Sequence, residues 1–404
     1  MAETEKFISR GKPLEINLTL MRRFSQSDMA KIAKAVYLLQ LSSMFHIKDA
    51  QTMSKSLAKE VYIVDGSRTP FLKAKNGLGA FSASDLAVNT GRQLLARYNL
   101  DPQAVEEVIL GAAMPSPDEA NIGRVLALRL GLSQQIPAWT VMRNCASGLQ
   151  AVDNAYQSIL LGRSQMVLAG GTDAMSHAPL LLNAKMANWL AMWFSARATS
   201  QKMNLLTKLR PGFFAPVIAL LRGLTDPIVG LNMGQTAENV AYMFGIDRDE
   251  MDAFAARSHQ KAFQAREALQ QEITPIIDSK GRVTCHDNGV REDSTAEKLA
   301  KLKPFFDKKY GMVTAANSSQ ITDGAALMLF ASKEAVKKHN LPVIAKIVDM
   351  EWAALSPKTM GLGPVHATTP LMQRHKLTFD DVDYVEINEA FAAQVLGCLK
   401  PLPT

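Results

Sequence analysis

The chain has 404 residues, of which 47% are hydrophobic, 7% aromatic and 21% charged, a mixture that excludes a disordered or fibrous protein and suits two or three globular domains. The formal charge of +7 is local: residues 1–60 carry ten basic and six acidic side chains, residues 181–230 carry six and one, and the other 294 sum to −2. With no zinc-finger spacing, no aromatic RNA-binding motif and no long Lys/Arg run, that charge does not indicate nucleic acid. Cys145, Cys285 and Cys398 lack CxxC spacing, so neither a disulfide framework nor a metal site is expected, and a reducing compartment fits. No secretory leader or uninterrupted membrane-length apolar run is evident, and a cytoplasmic location is expected.

In chain order, residues 21–47 have the pattern of an amphipathic helix. Met53 opens a compact start, MSKSLAKEVYIVDG, so residues 1–52 read as a peripheral appendage and 1–58 as an N-terminal extension. A β-branched run predicts a strand at 60–64, closed by the turn formers Gly66 and Pro70. Helix at 84–98, strand at 107–111, helix at 121–130, strand at 138–143, helix at 147–161 and strand at 165–169 follow. This alternation predicts a layered α/β domain. Residues 179–307 read mostly as helix and loop, and strands are expected again at 311–314, 325–331, 344–352 and 383–387. Within 181–230, Leu182, Met186, Trp189, Leu190, Trp193 and Phe194 recur at three- and four-residue spacing, the pattern of an amphipathic helix.

The stretch most informative about chemistry is PAWTVMRNCASGLQAVDNAYQSILLGRSQMVLA, residues 137–169. It places Cys145 at a tight strand-to-helix turn, where the helix's N-terminal amides favour an anion, and a thiolate is the nucleophilic form of cysteine. Ala146, Ser147 and Gly148 leave room for a substrate to approach the sulfur. A buried structural cysteine is the alternative reading of a lone thiol.

NCASGLQAV resembles the nucleophile motif of the thiolases, the acyl-CoA C-acyltransferases. VDGSRTPF, GGTDAMSHAP, NMGQTAENVA, YGMVTAANSSQITDGAA and INEAFAAQ agree in the same order. The resemblance implies a layered αβαβα fold of two similar halves: 59–178 with 308–332 as the first, 179–307 as an inserted helical loop domain, and 333–404 as a second half that is incomplete. It implies thiolytic cleavage of a 3-ketoacyl-CoA through an acyl-cysteine, with coenzyme A as a substrate and no permanently bound cofactor. A homodimer or tetramer is also implied, and the long insertion looks most like the β-subunits of fatty-acid oxidation complexes, with an α-subunit as partner and a mitochondrial matrix location in a eukaryote.

By the resemblance Cys145 is the acyl-accepting nucleophile, and Asn388 holds a water in an oxyanion hole, at a position where the long-chain branch often carries His. Met175, Arg291, Leu299, Leu302, Phe306, Ser319, Ala390 and Phe391 fall where thiolases line the coenzyme A and pantetheine channel; plain core packing is the alternative for the apolar ones. The family's GHP histidine and CxGGG cysteine would follow INEAFAAQ, but the sequence reaches Thr404 before either. His177, His259 and His366 read as surface or loop histidines, and Cys398 lacks the glycine-rich context. The expectation is therefore a truncated thiolase with little turnover of its own. A biosynthetic acetoacetyl-CoA thiolase and a non-catalytic thiolase-like subunit or remnant are the alternatives. For 181–230, aromatics beside Lys185, Arg197, Lys202, Lys208 and Arg210 fit a cap over the domain, a partner-docking surface or peripheral contact with an anionic membrane.

Overall fold

The computed structural model describes residues 59–74 and 77–400; the helix expected within 21–47 and the extension at 1–58 lie outside them. The first alternation forms as β1 (Val61–Arg68), α1 (Ala83–Ala96), β2 (Glu107–Gly111), α2 (Ile122–Arg129), β3 (Ala138–Val141), α3 (Ser147–Leu160) and β4 (Met166–Ala174). The middle of the chain is mainly helical, with α4 (Ala184–Ser195), α5 (Thr199–Thr207), α6 (Met233–Phe244) and α7 (Arg248–Gln264). The remaining principal elements are β5 (Thr322–Ser332), α8 (Lys333–His339), β6 (Ala345–Ile347), α9 (Gly363–His375) and α10 (Ala392–Leu399).

Six of these strands form one mixed sheet in the order β6-β1-β5-β4-β2-β3, and Leu72–Lys73 adds a seventh against the start of β5. β2 runs parallel to β3 and β4, whereas β5 is antiparallel to both β4 and β1. The period of two in the strands supplies two apolar faces. Val108, Leu110, Leu168, Leu327 and Leu329 face Leu86, Leu94 and Leu126 of α1 and α2. Ile109, Val167, Ala169 and Phe330 face Ala151, Ala155 and Ile159 of α3. Central strands covered on both sides read as continuous apolar runs, as β2 does in EVILG.

Several expected strands are corrected. β1 does not close at Gly66 but continues to Arg68 through a register shift between Ile63 and Asp65. The strand expected at 344–352 shortens to β6, because its partner β1 begins at Val61, opposite Ile347. Residues 311–314 form no strand; the amides of Met312 and Val313 are taken by the Glu238 carboxylate at 2.8–3.0 Å. Residues 383–387 form none either, and Tyr384 and Val385 are 90% and 63% exposed. Apolar side chains alone do not make a strand when no neighbouring edge takes their backbone groups. After Ser332, β6 is the one strand among the described residues, and it extends the same mixed sheet at the edge of β1.

Candidate active site

Cys145 stands where β3 has ended and α3 has yet to begin. Asn144 has φ 48°, a left-handed conformation that asparagine tolerates better than most side chains. Ser147 locks the turn, because its Oγ accepts the Arg143 N–H at 2.8 Å and donates to the Asn144 carbonyl at 2.7 Å. Ala146 caps α3 without a side-chain hydrogen bond, and the Cys145 thiol is exposed. Gly111 at the end of β2 permits this arrangement, since a Cβ there would collide with the backbone of Ser147 and Gly148. On the next loop, the Asp173 carboxylate accepts the Ala113 and Met114 amides at 2.9–3.1 Å, and burial pushes its pKa up. Beside the turn, the Arg143 guanidinium lies 3.9 Å over the Trp352 ring and donates to Gln150 at 2.7 Å.

A second feature is a cleft of about 430 Å³ built from several segments remote in sequence. α7 contributes Phe254, Ser258 and His259, the loop before β5 contributes Ser318, Ser319 and Gln320, and the loop before α10 contributes Asn388 and Glu389. The two loops are stitched by backbone bonds, Ser319 N–H to Ala390 O at 2.8 Å and Ala392 N–H to Asn317 O at 2.9 Å. Beneath them Asn317 donates to Asp252 at 3.0 Å, and Arg248 donates to the same carboxylate at 2.6 Å. Asp252 and Asn317 are both buried, so the ion pair and amide satisfy each other where water is excluded. The motif helices also meet: Ala237 and Ala241 of α6 pack with Ala392 and Ala393 of α10. Gly234 makes room for the Phe306 ring, which would otherwise occupy the place of a Cβ.

Of the residues expected in the site, Ser319 and Asn388 line this cleft, and Cys145 is not among its lining residues. Ala390 and Phe391 join the two loops, and Phe391 meets Phe306 edge to face at 5.9 Å. Leu299, expected along the channel, is 5% exposed and packs on Ala255 and Ala256, so it is a core residue. The Leu302 side chain is exposed, and its carbonyl accepts from Arg248 at 3.0 Å. Arg291 is exposed, with its amide donating to His259 Nδ1 at 3.3 Å. Met175 is half-buried at the end of β4, next to Ser176, which donates to Asp323 at 2.6 Å. His259, read from sequence as a surface histidine, is corrected to a half-buried cleft residue. Ser258 and Glu389 were not singled out, yet they are bonded to each other at 2.5 Å. The spacing of Ala255, Ser258, His259 and Ala262 along one face of α7 is the signal that could have found this wall.

The family profile "Thiolase, N-terminal domain" matches residues 61–334, and "Thiolase, C-terminal domain" matches 341–404. A 3-ketoacyl-CoA thiolase of Yersinia pestis (strain Pestoides F) is 36% identical over 344 residues, 84% of this chain and 78% of the relative. The crystal structure of the Bacillus anthracis acetyl-CoA acetyltransferase is 35% identical with a TM-score of 0.75, covering 84% of this chain and 82% of that one. Human mitochondrial 3-ketoacyl-CoA thiolase in complex with CoA is 34% identical with a TM-score of 0.73, covering 85% and 82%.

Proposed function

The chain belongs to the thiolase family, the acetyl-CoA C-acyltransferases, and from that premise we propose that its substrate is a 3-ketoacyl-CoA of fatty-acid β-oxidation, cleaved by coenzyme A to acetyl-CoA and a shortened acyl-CoA. The observation that carries this reading is the exposed Cys145 thiol on its left-handed turn at the N-terminus of α3. In the proposed reaction the Cys145 thiolate adds to the 3-keto carbon, whose oxygen takes the negative charge beside a water held by Asn388. The Cα–Cβ bond then breaks, its electron pair leaves on the acetyl-CoA enolate, and the enolate takes up a proton. The acyl group stays on Cys145 as a thioester until the thiolate of a second coenzyme A attacks it and expels the cysteine.

The proton transfers set the proposed limit on turnover. Among the described residues no histidine is hydrogen-bonded to Cys145. Cys398 lies in α10, its Sγ donates to the Gly361 carbonyl at 3.3 Å, and burial pushes its pKa up. These groups supply no acid at the substrate α-carbon, where the acetyl-CoA enolate must be protonated as Cys145 is acylated, so slow formation of the acyl-cysteine is the expected behaviour. The apolar insertion at 181–230 favours a long-chain substrate over the biosynthetic acetoacetyl-CoA reaction, whose two-carbon acyl group needs no such surface.

Incubation with a long-chain 3-ketoacyl-CoA followed by peptide mass mapping is expected to find an acyl adduct on Cys145 that is absent from Cys145→Ala. A wild-type chain that forms no adduct would instead be a non-catalytic thiolase-like subunit. Thiolysis as fast as that of the Yersinia relative would refute the limit on turnover.

A further inference from the structure

We infer that His259 and Gln320 form an amide-reading pair in the cleft, His259 donating its Nε2–H to a carbonyl oxygen and Gln320 accepting an N–H from the amide-bearing arm of an acyl-CoA. The inference rests on the thiolase reading above and adds two residues to it. His259 lines the cleft on the face of α7 that also presents Phe254, Ala255, Ser258 and Ala262. Its Nδ1 accepts the backbone N–H of Arg291 at 3.3 Å, which places the ring proton of the neutral form on Nε2. Among the described residues no hydrogen bond is formed by that Nε2, so the donor is left for a ligand.

Gln320 supplies the complement. Its amide nitrogen donates to the Gly289 carbonyl at 2.6 Å, which orients the side chain, while its Oε1 is buried without a partner. A buried acceptor left unpaired is costly and calls for a donor. One secondary amide offers both a carbonyl for His259 and an N–H for Gln320, and the apolar wall of the cleft suits the methylene groups on either side of it.

The charges around His259 keep it in the neutral form that this role needs. Burial is the largest cause holding its pKa below 6.5, and Arg291 and Lys73 act in the same direction. Glu389 opposes them, but its carboxylate accepts from Ser258. Asp287, on the same cleft, is held by Arg68 at 2.8 and 2.9 Å. A protonated ring would set an Nδ1–H against the Arg291 N–H, so acidification should turn the imidazole out of place.

Isothermal titration of the full chain with coenzyme A, and with adenosine 3′,5′-bisphosphate as a ligand that lacks the arm, tests the pair. His259→Phe and Gln320→Leu are each expected to weaken coenzyme A binding about tenfold, the loss of one hydrogen bond to a buried partner, and to leave bisphosphate binding unchanged. His259→Gln, which restores an N–H donor, should recover most of the loss. Wild-type affinity for coenzyme A should fall as the pH is lowered from 7.5 to about 5.5, below the ordinary histidine value, while His259→Gln stays flat. Equal coenzyme A binding in wild type and His259→Phe would overturn the inference alone. Equal weakening of both ligands would assign His259 a purely structural role and overturn it as well. A wild-type chain that binds no coenzyme A would overturn the proposed coenzyme A-dependent reaction beneath it.

Discussion

Glu60 joins three elements at the start of β1. Its carboxylate accepts from Lys333 of α8 at 2.9 Å, from Tyr62 of β1 at 2.7 Å and from Lys346 of β6 at 3.3 Å. The Lys333 bond is the largest of the causes that lower its pKa from 4.5 to about 2. Because the folded value lies below the unfolded one, the ionised form favours folding: the contribution is complete above about pH 4.5 and disappears as the pH falls toward 2. The urea midpoint of wild type should therefore fall more steeply between pH 5 and 3 than that of Glu60→Gln; parallel curves would show that the bonds add nothing to stability. At this scale the places of Cys145 on its turn and of Ser319 and Asn388 on the cleft are legible because each sits inside a compact motif. His259 and Gln320 are not, since their roles arise where α7 meets a loop sixty residues further along. Leu299 shows the converse: an apolar residue in a family-like segment turns inward to the core, as the core-packing alternative has it, where burial of a leucine side chain is worth about 2 kcal/mol.

Elements whose apolar residues repeat with a clear period were predicted within a few residues, as for α1, β2, α2 and α3. The failures are strands at which pairing, rather than pattern, decides. β6 ends where β1 runs out, and residues 383–387 find no edge among the described residues. The seat of α3 depends on a single missing Cβ. Gly111→Ala should displace the first turn of α3, lower stability by roughly 1–3 kcal/mol, as overpacking does, and slow acylation of Cys145. A denaturation midpoint and a mass-spectrometric time course check both, and an unchanged acylation rate would separate the nucleophile turn from the Gly111 contact. Phe330 tests the opposite defect. It is fully buried between β5 and α3, so Phe330→Ala is expected to cost about 3–5 kcal/mol by leaving a cavity.

Across the whole molecule, the basic segment at 181–230 folds largely upon itself. Met186, Trp189 and Leu205 pack together, Trp189 donates to the Leu205 carbonyl at 2.8 Å, and Trp193 stacks on Trp189 at 5.3 Å. Trp189 is thus a core residue of this segment, while Phe194 is 81% exposed and Phe214 and Ile228 are also exposed. Among the described residues no helix is long and apolar enough to cross a membrane. For the expectation of peripheral contact with an anionic bilayer, sedimentation with phosphatidylglycerol vesicles that is lost in Phe194→Ser and retained in Tyr384→Ser is the expected result; no sedimentation would leave capping or subunit docking. The sequence by itself determined the α/β class, the motifs and the turn that presents Cys145, because periodicity, turn chemistry and a helix start are properties of neighbouring residues. Only the tertiary structure decided which loops share a cleft, that His259 faces it and that Leu299 does not. Those outcomes depend on backbone bonds such as Ser319 to Ala390 and on the buried Arg248, Asp252 and Asn317 network, contacts between segments that are distant along the chain and become neighbours only when their shared core excludes water.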